Sequence, residues 1–264
     1  MSDFLAGMAK SSAERAAQAR SFTDADFDKP VVPLTLGSFD VIAEIKNRSP
    51  AEGQLGDSDP NSGDSDPNSR ACAYAAGGAA AISVLTEPSR FDGELEHLEA
   101  VVAAVPGTPV MRKDFLVDPV QVLEARAAGA SGVLLIATML DDAELRAMLD
   151  CAFEHGMFVL LESFDDDDLR RSARFLGGDG QLLIGVNTRN LRTLAVDSER
   201  LQRLATSLPD AVCVAESGLR DADDATRVAG WGYSMALVGT ALMRSEDPAG
   251  LIAAMRKAGA AACL

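Results

Sequence analysis

Eight short apolar runs recur along the chain, and each is followed by a segment with the periodicity of a helix. Apolar runs of about four to eight residues without polar alternation are typical of strands buried on both faces of a parallel sheet. The segments between them carry Asp or Ser near their starts and Gly near their ends, as helices do. The runs are VIAEIK (41–46), AAISVLTE (80–87), PVMRKDF (109–115), GVLLIA (132–137), MFVLLES (157–163), LLIGVN (182–187), AVCVAES (211–217) and MALVGTAL (235–242).

Eight βα units in about 220 residues match a closed (β/α)₈ TIM barrel in number and length. A doubly wound open sheet is the alternative, but no GxGxxG motif follows the first run and no second domain is evident. We therefore predict a single α/β domain over residues 1–264. It comprises an N-terminal helical extension in residues 1–40, barrel strands within residues 41–245 and a duplicated loop in residues 56–69.

The charge and the cysteines exclude several classes of protein. A formal net charge of −16 argues against binding nucleic acid or an anionic membrane surface, which needs a basic face. The polar N-terminus predicts no signal peptide, and no apolar run is long enough to span a bilayer, so we predict a cytoplasmic protein. The four cysteines are irregularly spaced, which favours neither a zinc site nor a disulfide framework.

Polar residues stand where the predicted strands end, which is the active-site face of such a barrel. Charges within apolar strands are costly unless they are paired or used. One charged pair fits a structural ion pair as well as a functional site, but polar residues ending five strands favour a site. These residues are Glu44 and Lys46 in the first run, Arg112, Lys113 and Asp114 in the third, Glu162 in the fifth, Asn187 and then Arg189 at the sixth, and Glu216 and Ser217 in the seventh.

Small residues at the ends of the last two predicted strands suggest a site for a phosphate ester. Gly218 lies after the seventh run, and Gly239 and Thr240 lie in the eighth. Small residues there leave backbone N–H groups free, and a short helix that follows would point its positive end at an anion. Lys46 and Ser49 could add contacts from the first run.

Long motifs in this order resemble the indole-3-glycerol phosphate synthase family of tryptophan biosynthesis, from about residue 38 to about residue 247. The motifs are VIAEIKNRSP, ISVLTEPSRFDG, PVMRKDFLVDPVQVLEARAAGASGVLLIA, IGVNTRNL, AESG and ALVGTALMR.

The resemblance implies a lyase that acts on 1-(2-carboxyphenylamino)-1-deoxyribulose 5-phosphate and needs no metal or organic cofactor. A ring carbon attacks the C2 carbonyl of the ribulose chain, and carbon dioxide and water then leave. The implied partner is this phosphorylated small molecule, with no nucleic acid and no membrane. We expect a monomer or a weak homo-oligomer.

The resemblance also implies roles for the matched residues. Lys113 is the expected general acid, Glu162 the base or acid of the dehydration, and Lys46 a further proton-transfer candidate, with the division among them open. Glu44 and Glu216 would hold the ammonium groups in place. The other implied binding residues are Asn187 and Arg189 for the anthranilate part, Phe91 and Phe115 as apolar walls, and Ser49, Ser217, Gly218, Gly239 and Thr240 for the phosphate.

Other hypotheses stay open at this point. The family usually has a small polar residue and often a lysine after the SP dipeptide, whereas this chain has Ala51 and Glu52. An inactive barrel kept for subunit contacts is therefore an alternative. A phosphoribosyl isomerase is another, although such enzymes use Asp or Cys as acid and base. A calcium-dependent binding protein built on the repeat GDSDPNSGDSDPNSR (56–70) is a third.

The repeat is a poor calcium loop. Such a loop needs Gly at its sixth position and a bidentate Glu at its twelfth. Counted from Asp57, these positions hold Ser62 and Asn68, and Pro60 interrupts the loop. One DPNS segment fits a turn with Asn or Ser capping the next helix, and the second copy fits an insertion into an active-site loop.

Deleting one GDSDPNS copy should leave stability nearly unchanged, because lengthening a flexible loop costs little entropy. It should change kcat or KM measurably, since the loop follows the strand with Glu44 and Lys46. Melting temperature and steady-state kinetics check this. Unchanged kinetics would show that the loop does not reach the substrate, and a melting temperature raised by calcium would favour the binding-protein hypothesis instead.

Overall fold

The computed structural model describes residues 3–46, 48–49, 53–54, 67–189, 196–197 and 199–263, with the backbone alone at 49, 53 and 54. Eight parallel strands close into a barrel in which each strand pairs with the next and the last pairs with the first. The predicted (β/α)₈ fold is confirmed. The strands are β1 (Asp40–Ile45), β2 (Ala81–Leu85), β3 (Val110–Lys113), β4 (Gly132–Ile136), β5 (Phe158–Ser163), β6 (Leu182–Asn187), β7 (Cys213–Glu216) and β8 (Met235–Val238).

The strands are apolar because both of their faces are covered. Every residue of β1 and of β5 is buried. One face fills the barrel interior and the other packs on the surrounding helices, as in other (β/α)₈ barrels. The eighth predicted run (235–242) is too long, because Thr240–Arg244 is a helix. Apolar residues alone cannot separate a strand end from the buried helix that follows it.

Helices connect the strands and form the outer layer. Aspartates cap several of them at the N-terminus, as at Asp118, Asp141, Asp165 and Asp221, where the side chain accepts a backbone N–H. None of the helices in the described ranges is long and apolar enough to cross a membrane. The helices are α1 (Asp3–Ala16), α2 (Pro67–Ala76), α3 (Pro88–Phe91), α4 (Leu95–Ala104), α5 (Pro119–Ala128), α6 (Asp142–Glu154), α7 (Asp166–Ala173), α8 (Arg200–Leu204), α9 (Ala222–Gly230), α10 (Thr240–Arg244) and α11 (Pro248–Ala262).

The end of the duplicated segment is helical rather than a loop. The loop was predicted over residues 56–69, and its end is wrong because α2 begins at Pro67. Proline suits the first turn of a helix, where its missing N–H costs nothing. Residues 56–66 lie outside the described ranges, so the proposed turn and the calcium hypothesis concern residues that the structure does not describe. That residues 1–264 form one domain stays a prediction.

The N-terminal extension is a helix followed by an extended segment. Helix α1 ends at Ala16. The segment that follows crosses the amino-terminal end of the barrel, where Val32 N donates to Ser131 Oγ (2.9 Å) and Gln181 Nε2 donates to Leu34 O (3.2 Å). Ser131 and Gln181 immediately precede β4 and β6, so the extension closes the barrel on the side opposite the predicted site.

Helix α1 is attached to the barrel by an ion pair between the half-buried Arg15 and the buried Asp114. Arg15 donates two hydrogen bonds of 2.8 Å to the carboxylate of Asp114, just after β3. Asp114 also accepts from Thr86 Oγ1 (2.9 Å), Arg112 (3.2 Å) and the N–H of Phe115 (2.8 Å). Burial opposes the charge of Asp114, but these partners hold the pKa of its carboxyl below its usual range. Asp114 therefore joins the N-terminal extension to the end of β3.

Replacing Arg15 with Met should lower the free energy of unfolding by about 2 kcal/mol at neutral pH, since a buried carboxylate loses charge-assisted hydrogen bonds. A carboxyl with a lowered folded-state pKa stabilises the fold above its unfolded pKa of about 3.9 and loses that effect as the pH falls through the folded value. The loss should therefore shrink near pH 3.5. Urea unfolding at both pH values measures it.

Lys10→Met is the matched control, because Lys10 lies on the same helix in an exposed 4.0 Å pair with Glu14. It should leave the unfolding free energy unchanged. Equal losses for the Arg15 and Lys10 variants, or a loss for Arg15→Met that grows at low pH, would contradict the role given to Asp114.

Candidate active site

A cavity of about 540 Å³ opens at the carboxyl ends of the strands. Every predicted site residue whose side chain the structure describes lines it, and the side chain of Ser49 lies outside what the structure describes. The predicted residues at the cavity are Glu44, Lys46, Phe91, Lys113, Phe115, Glu162, Asn187, Arg189, Glu216, Ser217, Gly218, Gly239 and Thr240.

Lys113 lies between the carboxyl groups of Glu162 and Glu216 on the cavity floor. Its Nζ is 3.2 Å from Glu216 Oε2 and 3.4 Å from Glu162 Oε2, and all three side chains are largely buried. Burial disfavours the ammonium, but Glu216, Glu162 and Glu44 outweigh that effect and raise the pKa of Lys113 above its ordinary value. Lys113 is therefore charged at neutral pH and can donate a proton.

Glu216 is a buried carboxyl with a raised pKa. Burial raises the pKa of Glu216 to about 8 although Lys113 opposes the shift, and Glu162 adds to it. Its Oε1 is buried and makes no hydrogen bond to the described residues. A Cβ on Gly185 of β6 would overlap this oxygen, so the glycine leaves the space that the Glu216 carboxyl occupies.

Lys46 and Glu44 form a second ion pair, with Nζ and Oε1 2.8 Å apart. Glu44 lies in β1 and Lys46 directly follows its last residue, and the two side chains, two positions apart, meet on the same side as their spacing predicted. Burial opposes the charge of Glu44, but Lys46 and Lys113 hold the pKa of its carboxyl below its usual range. A Cβ on Gly239 would overlap Glu44 Oε1 and lie 2.8 Å from Lys46 Nζ, so this glycine makes room for the pair.

A hydrogen-bonded link joins the ends of β6 and β7. Asn187 Oδ1 accepts from Ser217 Oγ and from the N–H of Arg189, both at 2.8 Å. Ser217 and Gly218 both have left-handed backbone, with φ of 68° and 81°. This conformation is disfavoured for Ser217 because it has a Cβ, so the turn depends on its neighbours to hold it.

One wall of the cavity is aromatic and aliphatic. The ring centroids of Phe91 and Phe115 are 6.2 Å apart, and Phe4 of α1 packs edge-on against Phe115 at 5.9 Å. Leu134 and Ile136 extend this wall from β4. The cavity therefore combines an apolar side, two lysines in ion pairs and a side made of small residues.

Phe4, Arg220 and Arg244 also line the cavity, and none of these was predicted as a site residue. The arginines come a few residues after β7 and β8, and that position is the signal that could have found them. Phe4 carries no local signal, since it reaches the cavity through the docking of α1. No three His, Cys, Asp or Glu side chains within the described residues are arranged to hold a metal ion.

Comparison with known proteins places this geometry in a family. The family model described as indole-3-glycerol phosphate synthase matches residues 5–255. A curated indole-3-glycerol phosphate synthase from a Nocardioides species is 46% identical, over 97% of this chain and 97% of its own length. The chain belongs to the indole-3-glycerol phosphate synthase family. Similar relatives come from a Parafrankia species (46% identity over 83% of this chain and 78% of the relative) and from Salinibacter ruber (42% over 83% and 77%).

Solved structures of more distant proteins share the fold. A 3-hexulose-6-phosphate synthase from Salmonella typhimurium superposes with a TM-score of 0.63 at 16% identity, covering 85% of this chain and 100% of that one. A thiamine phosphate pyrophosphorylase from Pyrococcus furiosus gives 0.58 at 16% identity, over 85% and 97%. At this identity the likeness concerns the barrel alone.

Relative to wild type, the Glu216→Gln variant should become more stable as the pH rises. The folded pKa of about 8 lies above the unfolded value of about 4.3, so the folded state holds a proton that the unfolded chain releases. Wild-type stability therefore falls between these values as the pH rises, and a group that cannot ionise avoids the loss. Melting temperatures at pH 5, 7 and 9 measure the difference between variant and wild type.

Glu246→Gln, at an exposed position, is the matched control and should leave the melting temperature close to that of wild type. A pH-independent difference for Glu216→Gln would contradict the raised pKa.

Proposed function

We propose that this chain converts 1-(2-carboxyphenylamino)-1-deoxyribulose 5-phosphate into indole-3-glycerol phosphate, carbon dioxide and water. Membership of the indole-3-glycerol phosphate synthase family supports the reaction. The observation that carries it is Lys113, held between Glu162 and Glu216 on the floor of a cavity that is apolar on one side and built of small residues on the other.

Lys113 suits the ring-closing step. As the ring carbon attacks the C2 carbonyl, negative charge grows on the carbonyl oxygen and a proton must reach it. Lys113 keeps its proton at neutral pH because the neighbouring acidic side chains raise its pKa, and it is buried where water competes little. Carbon dioxide then leaves from the ring carbon that has formed the new bond to C2, which restores the aromatic ring.

The second half removes the C2 hydroxyl as water and a proton from C1. Glu162 contacts Lys113, so a proton can pass between them and reset the pair for this step. Lys46, with Glu44 at 2.8 Å, is the other group able to deliver or take a proton. The division of these roles among Lys46, Lys113 and Glu162 is part of the proposal.

The walls of the cavity match the two ends of the substrate. Phe91 and Phe115 would pack on the anthranilate ring, with Asn187 orienting it. Arg189 or Lys46 would meet its carboxylate. The small residues Ser217, Gly218, Gly239 and Thr240 would surround the phosphate, and Ser49 is proposed for the same group.

The positive charge needed for an anionic substrate is local. The chain has a formal charge of −16, so its overall field opposes an anion, and Lys46, Lys113 and Arg189 must attract the substrate at short range. We further propose that the chain acts in the cytoplasm as a monomer or a weak homo-oligomer.

The test is formation of the fluorescent indole product from the synthetic carboxyphenylamino substrate. Wild type should produce it, and Lys113→Ala should lower kcat by about a hundredfold or more, as for the loss of a general acid. Lys10→Ala, at an exposed lysine of α1, should keep wild-type kinetics. An inactive wild type would favour the alternative of an inactive barrel kept for subunit contacts. A fully active Lys113→Ala variant would show that Lys113 does not transfer the proton.

A further inference from the structure

Thr188 is a buried residue next to the cavity that does not line it. It directly follows β6 and has no exposed surface. Its N–H donates to Glu216 O at 3.1 Å. Its hydroxyl lies 3.0 Å from Ser217 O and 3.2 Å from Glu216 O, so it donates its one proton to the first with the second as an alternative.

These contacts converge on the turn after β7. Ser217 is held at its side chain by Asn187 and at its carbonyl by Thr188. The turn needs this support because Ser217, which has a Cβ, adopts left-handed backbone immediately before Gly218. Such a conformation persists only where the surroundings determine it, and the hydroxyl of Thr188 is the buried side-chain donor to the Ser217 carbonyl within the described ranges.

We propose that Thr188 is a positioning residue for the phosphate group, which it never touches. By binding the Ser217 carbonyl it keeps Ser217 and Gly218 in the conformation in which both face the cavity. This rests on the proposed function to the extent that the phosphate lies against these two residues. Loss of the hydroxyl should loosen the turn and weaken phosphate binding, while Lys113 and Glu162 on other strands keep their geometry.

Thr188→Val tests this, because valine keeps the size, the β-branching and the backbone N–H while removing the hydroxyl. KM should rise about fivefold, the effect of one neutral hydrogen bond, with kcat unchanged. Inhibition by inorganic phosphate should weaken by the same factor. Thr188→Ser, which keeps the hydroxyl, should restore both values.

Thr138→Val is the matched control. Thr138 also lies just after a barrel strand, and its buried hydroxyl makes no hydrogen bond to the described residues. The same substitution there should change neither KM nor phosphate inhibition. If Thr188→Val lowers the melting temperature but leaves both constants at their wild-type values, Thr188 has a structural role only and the proposal is overturned.

A second readout separates this proposal from the proposed function. Binding of inorganic phosphate, measured by calorimetry, needs no turnover. If wild type forms no indole product but binds phosphate about fivefold more tightly than Thr188→Val, the proposed function fails and the positioning role stands. If wild type turns over and both proteins bind phosphate equally, the function stands and the positioning role fails. Wild type that binds no phosphate also overturns it.

Discussion

The site depends on the closure of the parallel sheet, because closure brings all eight strand ends to one rim. The ladder between β1 and β8, in which Ile42 pairs with Leu237, completes the ring. Side chains alternate between the two faces of each strand, and this alternation decides which residues point into the barrel. Glu44, Lys113, Glu162 and Glu216 all point inward although they come from four different strands. A charged residue shifted by one position along its strand would face the helices instead.

Charged side chains inside this barrel are stabilised by ion pairs, and they fit because glycines leave space for them. Each lysine has a carboxylate within 3.4 Å, which offsets the cost of removing it from water. The carboxylates in turn occupy space that glycines leave open, Gly185 beside Glu216 and Gly239 beside Glu44. An apolar interior would be more stable at neutral pH, since Glu216 ionises only above its usual range. The barrel therefore gives up stability at the rim to keep groups that can exchange protons.

Much of the fold and most of the cavity follow from local sequence, and the remainder depends on contacts between distant residues. The strands were recognisable because burial on both faces demands continuous apolar runs, and the Glu44–Lys46 pair follows from strand parity. Phe4 could not be predicted, since its place depends on the contact of Arg15 with Asp114, 99 residues away in the chain. Thr188 was missed for a similar reason, because its partners belong to the next strand. The residue roles themselves stay predictions.

The closing ladder also sets the order in which the molecule can be made. Residue 41 pairs with residue 236, so the barrel cannot close until nearly the whole chain has left the ribosome. Until then the partly built sheet has two open edges, β1 and the latest strand to join. Contacts this distant in sequence carry a large entropy of loop closure and are slow to form. The N-terminal segment is synthesised first and lies across the amino-terminal ends of β4 and β6, so it must wait for those strands before it finds its final place.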